Sequence, residues 1–339
     1  MIRLFHLATL IAVLVALTPE AYSRTGKDLR IYFIDVEGGQ STLVVTPAGK
    51  SVLIDTGWPG GRDADRIVNA ARAAGLKQID YVVITHFHAD HVGGVPDLVS
   101  RMKVATFVDH GSSTEDSDAA RSLYAAYEKA TKSATRVVVK PGEGLPLSDI
   151  KLEFLTAAGE SITSPLPGAG EANPYCYSEA PAPADASENS QSLGMLITYG
   201  KFKFLDLGDL TKIKELGLVC PNNLLGTVSL YLVTHHGGYP DNPKALVWVL
   251  HPLVAISNNG AHKGGNPDTW QIVHDSPGLA DEWQLHYAAD SDAKHNVAES
   301  FIANLDEKSD GHPIEVKASP DGKFRVTNTR NNYSKTYAP

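Results

Sequence analysis

Cysteine is scarce: the 339 residues carry two, Cys176 and Cys220. Neither sits in a metal-ligand pattern, so a cysteine-built metal cluster is excluded, while a disulfide between them stays open from sequence. Positive charge is also short. The formal net charge of −9 argues against unspecific adhesion to nucleic acid or anionic lipid. It does not exclude a nucleic-acid substrate, because a bound cation supplies positive charge locally. Long apolar runs are missing but for one, 7–17, which is too short for a comfortable membrane span. There is no repeat at a solenoid period, no serine-hydrolase elbow and no phosphate-cradling glycine loop.

The one apolar run has another reading. Arg3 precedes it, Pro19 ends it, and Ala21-Tyr22-Ser23 has the small-x-small pattern of a cleavage site. Residues 1–23 therefore read as a signal peptide, and 24–339 as one mature domain beginning near Arg24. The expected location is secreted or periplasmic, an oxidising compartment that permits the disulfide.

Beyond the leader, strands and helices alternate. Apolar runs predict strands at 29–36, 41–46, 51–55, 79–85, 104–109, 135–140 and 150–155. Helical spacing appears at 63–74, 92–101 and 115–132. From 158 to 191 the pattern fails in a long loop rich in Pro, Ala, Gly and Ser, either plainly solvated or a lid. Strands return at 193–199, 201–207, 227–234 and 253–257, then a helix at 267–274 and a hairpin at 314–318 and 324–327. Both halves begin with strands and interleave helices. This predicts an α/β protein with two sheets covered by outer helices.

Chemistry concentrates in His86-Phe87-His88-Ala89-Asp90-His91. Four metal-binding side chains follow directly on a buried strand and precede Gly93-Gly94. Histidine and carboxylate together suit Zn, with Mn or Fe as substitutes.

Four separated stretches then align with one pattern. Asp55-Thr56-Gly57 ends an early strand, the His86–His91 run with Gly93-Gly94 follows, and Gly208-Asp209 and His236-Gly237 each close a strand. In this order they resemble the metallo-β-lactamase superfamily. Asn189-Ser190-Gln191-Ser192-Leu193 and Thr234-His235-His236-Gly237-Gly238 narrow the likeness to the metallohydrolase domain of ComEC-type competence proteins. The resemblance implies a four-layer αβ/βα sandwich with metals in a cleft along one sheet edge. It implies a first metal site from His86 and His88, a second from Asp90, His91 and His236, and Asp209 as the bridge. One or two Zn per chain are expected, the first site having three protein donors including the bridge. Two departures stand out. The relatives' Asp-Val-Gly-Gln-Gly-Asp is here Asp35-Val36-Glu37-Gly38-Gly39-Gln40. The histidine that β-lactamases of this fold place before Gly-Asp is also missing.

The implied activity is hydrolysis with a metal-bound hydroxide as nucleophile, most simply of a phosphodiester in a small molecule or nucleic acid. A lactam or lactone hydrolase and a non-catalytic metal-bearing binding protein are the alternatives. Asp90 is expected to orient the nucleophile as well as bind metal. His262 is a candidate for substrate contact or proton donation. His235 competes with His236 as ligand, or packs behind it. His110 is either a further donor or a loop cap. His251, His274, His286, His295 and His312 have no ligand-like setting.

Overall fold

The computed structural model describes residues 28–180 and 182–339; the expected signal peptide lies outside them. The chain first lays down β1 (Leu29–Phe33), β2 (Thr42–Val45), β3 (Ser51–Ile54), α1 (Arg62–Ala73), β4 (Gln78–Val83), α2 (Ala89–Val92), α3 (Val95–Arg101), β5 (Lys103–Asp109), α4 (Asp118–Thr131) and β6 (Thr135–Val138). A second sheet follows, from β7 (Lys151–Ala157), β8 (Glu160–Ser161), β9 (Gly194–Tyr199), β10 (Phe202–Asp206), α5 (Lys212–Val219), β11 (Leu230–Leu232), α6 (Lys244–Leu250), β12 (Val254–Ser257), α7 (Pro267–His274), β13 (Asp281–His286) and β14 (Ile302–Asn304). The chain then returns to the first sheet with β15 (Ile314–Ala318), β16 (Phe324–Asn328) and β17 (Ser334–Tyr337). The strand orders are β17-β16-β15-β1-β2-β3-β4-β5-β6 and β14-β13-β12-β11-β10-β9-β7-β8.

Strand periodicity builds the layers. In β1, Leu29, Ile31 and Phe33 enter the core between the sheets, while Tyr32 faces the outer helices. In β11, Leu230 and Leu232 point inward and Tyr231 outward. The inter-sheet core includes Phe33, Phe202, Phe204, Trp283 and Phe324, with Phe33 edge-on to Phe204 at 5.5 Å. Outer clusters seat α1, α3 and α4 on one sheet and α5, α6 and α7 on the other. This is the expected αβ/βα sandwich.

Three features refine the sequence reading. The helix expected over 92–101 begins at Val95, with a separate short helix, Ala89–Val92, before it across Gly93-Gly94. A Cβ on Gly94 would stand 2.1 Å from the Thr56 carbonyl oxygen, so the approach of the Asp55–Gly57 turn requires glycine there. The 158–191 segment is neither a plain solvated loop nor free of structure. The Cys176–Cys220 disulfide ties it to the end of α5, Asn173 donates to the Val219 and Ala245 carbonyls, and Tyr175 packs edge-on to Trp248.

Strands β3, β4, β5 and β6 run parallel, as do β10 through β14. Ligand sites in α/β sheets form outside the carboxyl ends of such strands. Asp55 follows β3, the His86–His91 run follows β4, Asp209 follows β10, His235-His236 follow β11 and Asn258–Lys263 follow β12.

Candidate metal centre

The strand ends bring six expected donors to one place. Ligand atoms of Asp90, His91, Asp209 and His236 all lie within 4.8 Å of one another, and all four residues are buried. Nε2 of His91 and of His236 are 3.2 Å apart. His86 Nε2 lies 3.9 Å from Asp209 Oδ2 and 3.0 Å from His88 Nδ1. Asp209 is central: Oδ1 is 3.3 Å from His236 Nε2, and Oδ2 is 3.3 Å from His91 Nε2 and 3.4 Å from His235 Nε2.

Hydrogen bonds behind the rings set which nitrogen faces the centre. Thr85 Oγ1 donates to Asp55 Oδ2 at 2.6 Å, and His91 Nδ1 shares that oxygen at 2.7 Å. In its neutral form His91 therefore presents Nε2 as a lone pair. His86 Nδ1 rests on Thr85 Oγ1 at 3.1 Å, with the same result. His88 Nε2 meets Glu115 Oε1 at 3.1 Å, which leaves Nδ1 facing His86. His235 Nδ1 meets Asp241 Oδ2 at 2.6 Å. Carboxylates behind imidazoles orient ligands and raise their basicity.

The electrostatics call for a cation. Burial opposes ionisation of Asp90 and Asp209, but the surrounding imidazoles hold both carboxyls well below the usual range. Burial likewise opposes a charged His91, yet Asp209, Asp90 and Asp55 hold its pKa well above the ordinary value. Burial and His91 push His86 well below its own. Converging lone pairs around two carboxylates, with Asp209 Oδ1 buried and without a hydrogen bond, fit a divalent metal.

Backbone strain supports this convergence. Asp55, His235 and His236 all have positive φ (59°, 54° and 56°). For non-glycine residues each such conformation costs roughly 1–3 kcal/mol. The surroundings hold it. Asp55 N donates to the Val83 carbonyl, and Thr56 N and Oγ1 donate to the His91 carbonyl. Thr234 is held on both sides by the Asn242 amide, His235 N donates to the Gly208 carbonyl, and Gly265 N donates to the His236 carbonyl. A Cβ on Gly264 would fall 2.0 Å from that same His236 oxygen.

Sequence reasoning missed several parts. Glu188, fully buried, accepts from Phe87 N at 3.0 Å, His110 Nε2 at 2.9 Å, and Thr114 N and Oγ1 at 2.7 and 2.8 Å. It pins the ligand turn between His86 and His88. His110 is thus engaged by Glu188, correcting its candidacy as a further donor. His262 does not join the cluster. It is exposed, with Nδ1 2.8 Å from Asp290 Oδ1 and Nε2 3.2 Å from Glu307 Oε1. From that loop it is Lys263 that reaches the site, its Nζ paired with Asp90 Oδ2 and lying 5.0 Å from the Trp58 ring centre. Adjacency to His262 was the only sequence signal for it. Gln40, at the departure from the relatives' motif, donates to both oxygens of Asp206 at 3.1 and 3.0 Å. Burial and nearby Asp55 push that carboxyl up to about 7, so an acid at position 40 would face another.

The family model of the metallo-beta-lactamase superfamily matches residues 34–173. ComE operon protein 3 of Bacillus subtilis (strain 168) is 28% identical over 244 residues, covering 67% of this chain and 28% of that protein. Ribonuclease Z of Alkaliphilus oremlandii (strain OhILAs) is 42% identical over 62 residues, 18% of each chain. The chain thus spans well under a third of the length of these relatives. A solved metal-dependent hydrolase of the beta-lactamase superfamily aligns at TM-score 0.42 and 14% identity, over 77% of this chain and 96% of its own. Residues 34–173 thus match the metallo-beta-lactamase superfamily, and the ordered ligand motifs and the two-sheet sandwich agree with that likeness.

Proposed function

We propose that this chain is a zinc-dependent hydrolase of phosphodiester bonds, exported and active as a mature chain from about residue 24. The observation that carries the reading is Asp209, whose two carboxylate oxygens stand among the imidazoles of His86, His91, His235 and His236. A carboxylate so placed would serve two cations and offset their repulsion. His86, His88 and Asp209 would hold one ion; Asp90, His91, Asp209 and His236 would hold the other. Bound there, zinc supplies an acidified water and neutralises charge developing on the substrate oxygen.

The chain's own groups supply orientation. Asp90 lies at the mouth between His91 and His236, with Oδ2 3.3 Å from each Nε2, and accepts Lys263. With Asp90 holding a cation, Lys263, beside Trp58, would be the positive group for an anionic substrate. That placement favours a phosphodiester over a neutral ring, as does the likeness to a protein named as a ribonuclease. The Cys176–Cys220 disulfide and the leader-like residues 1–23 support export.

The test is turnover of bis(p-nitrophenyl) phosphate, of single-stranded DNA, and of lactam and lactone reporters, by the parent and Asp90→Asn. Phosphodiester turnover that chelation abolishes, zinc restores and Asp90→Asn loses supports the proposal. Turnover of the ring reporters alone replaces it with the lactam or lactone reading. No turnover with metal retained makes the chain a metal-bearing binding protein.

A further inference from the structure

We propose that His235, held by Asp241, is the fourth protein donor of the first metal site; the inference rests on the metal-hydrolase reading above. The two expected histidines and the bridge give that site three donors. His235 is placed to add one. Its Nδ1 meets Asp241 Oδ2 at 2.6 Å, and its Nε2 faces Asp209 Oδ2 at 3.4 Å. Asp241 is itself fixed, its other oxygen accepting from Lys212 N at 2.7 Å, and its side chain is 7% exposed. This repeats the arrangement of Asp55 behind His91, where Asp55 Oδ2 meets Nδ1 at 2.7 Å and Nε2 faces Asp209. A carboxylate behind an imidazole whose far nitrogen looks into a donor cluster is how a protein builds a metal ligand.

The backbone explains how neighbours serve two sites. Side chains of consecutive residues ordinarily diverge. Here two successive left-handed conformations, φ 54° ψ 43° at His235 and φ 56° ψ 18° at His236, turn both rings onto one carboxylate. His236 Nε2 lies 3.3 Å from Oδ1, while His235 Nε2 lies 3.4 Å from Oδ2, an oxygen that His91 and His86 also face at 3.3 and 3.9 Å. Asp90, His91, Asp209 and His236 already converge as a group of four donors, so His235 is the donor left over for the side of His86 and His88. A non-catalytic packing role would require neither the strain nor the buried carboxylate.

The experiment is Zn²⁺ titration of the chelator-stripped full chain by calorimetry, with elemental analysis of the reloaded protein. The variants are His235→Asn, Asp241→Asn and, as a control on the other site, His236→Asn. Asparagine tolerates the left-handed backbone, and circular dichroism of the zinc-free proteins checks their fold. The parent is expected to bind two ions. His235→Asn should keep one at parental affinity and lose the other or weaken it at least tenfold. Asp241→Asn should weaken that same ion by roughly 10–100-fold, an independent reading should His235→Asn fail to fold. A variant at either position that keeps the parent's stoichiometry and affinities overturns the assignment. A parent that binds one ion, unchanged in His235→Asn, overturns it too, while the hydrolase reading still stands on Asp90, His91, Asp209 and His236. A parent that binds two ions but hydrolyses no phosphodiester fails the functional reading and leaves the donor assignment intact.

Discussion

Replacing Glu188 tests how the fold holds the ligand turn. Its two oxygens accept from Phe87 N, His110 Nε2, Thr114 N and Thr114 Oγ1, all within 3.0 Å. Burial opposes the charge, but His110 and these backbone donors hold the carboxyl down to about 2, against 4.5 in the unfolded chain. That gap corresponds to about 3 kcal/mol of stability, at about 1.4 kcal/mol per pH unit. The folded-state value is depressed, so the contribution is complete above pH 4.5 and fades as the pH falls toward 2. Gln at this position keeps one acceptor and turns an amide NH₂ toward donors. Glu188→Gln should therefore cost about 2–3 kcal/mol, near the cost of Glu188→Ala. The assay is urea denaturation of metal-free protein at pH 7 and at pH 3. The gap between parent and variant should shrink at the lower pH. A variant within 0.5 kcal/mol of the parent at pH 7 (about the noise expected of a surface change), or a gap that does not respond to pH, would refute the reasoning.

Three further outcomes follow from the same contacts. Asp55→Asn removes the charged partner of His91 Nδ1 and should weaken zinc at the Asp90–His91–Asp209–His236 group by roughly 10–100-fold, read by competition with a chromophoric chelator. Glu282 is buried with Ser257 as its hydrogen-bond donor, and burial pushes its carboxyl up to about 8 from 4.5. Its charge is penalised increasingly from pH 4.5 to pH 8, so Glu282→Gln should stabilise the fold by up to about 4 kcal/mol at pH 8 and little at pH 5; equal effects at both pH values would count against this. Reducing the Cys176–Cys220 bridge, which spans 44 positions, should lower stability by about 4 kcal/mol in the loop-entropy account, seen as a lower denaturation midpoint in reductant.

What the sequence made legible follows physical locality. The His86–His91 run, Asp209 and His236 could be named because each is a short motif at a strand end. Strands such as β1 and β10 showed in their apolar alternation. β13 did not: Asp281-Glu282-Trp283-Gln284-Leu285-His286 looks polar. Its polar residues are nonetheless buried, Glu282 beneath Ser257, Gln284 against Val297 N, and His286 against Asp35 at 2.7 Å. Only tertiary partners make such a strand stable in the interior. Helices α5 and α6 are short, eight and seven residues, and their apolar faces lacked a clear period. In the site, the supporting residues were the hidden part. Glu188 lies 101 positions from Phe87 and Lys263 lies 173 from Asp90, separations that no local pattern encodes. Sequence ranked His236 over His235 by motif position alone; the double left-handed turn that aims both at Asp209 is a tertiary feature.

Metal content per chain, by elemental analysis of protein purified without chelator, tests the central claim most directly. The account predicts two divalent ions for each chain, one on either side of Asp209. A content of one ion or fewer per chain, in protein shown by circular dichroism to be folded, would contradict it.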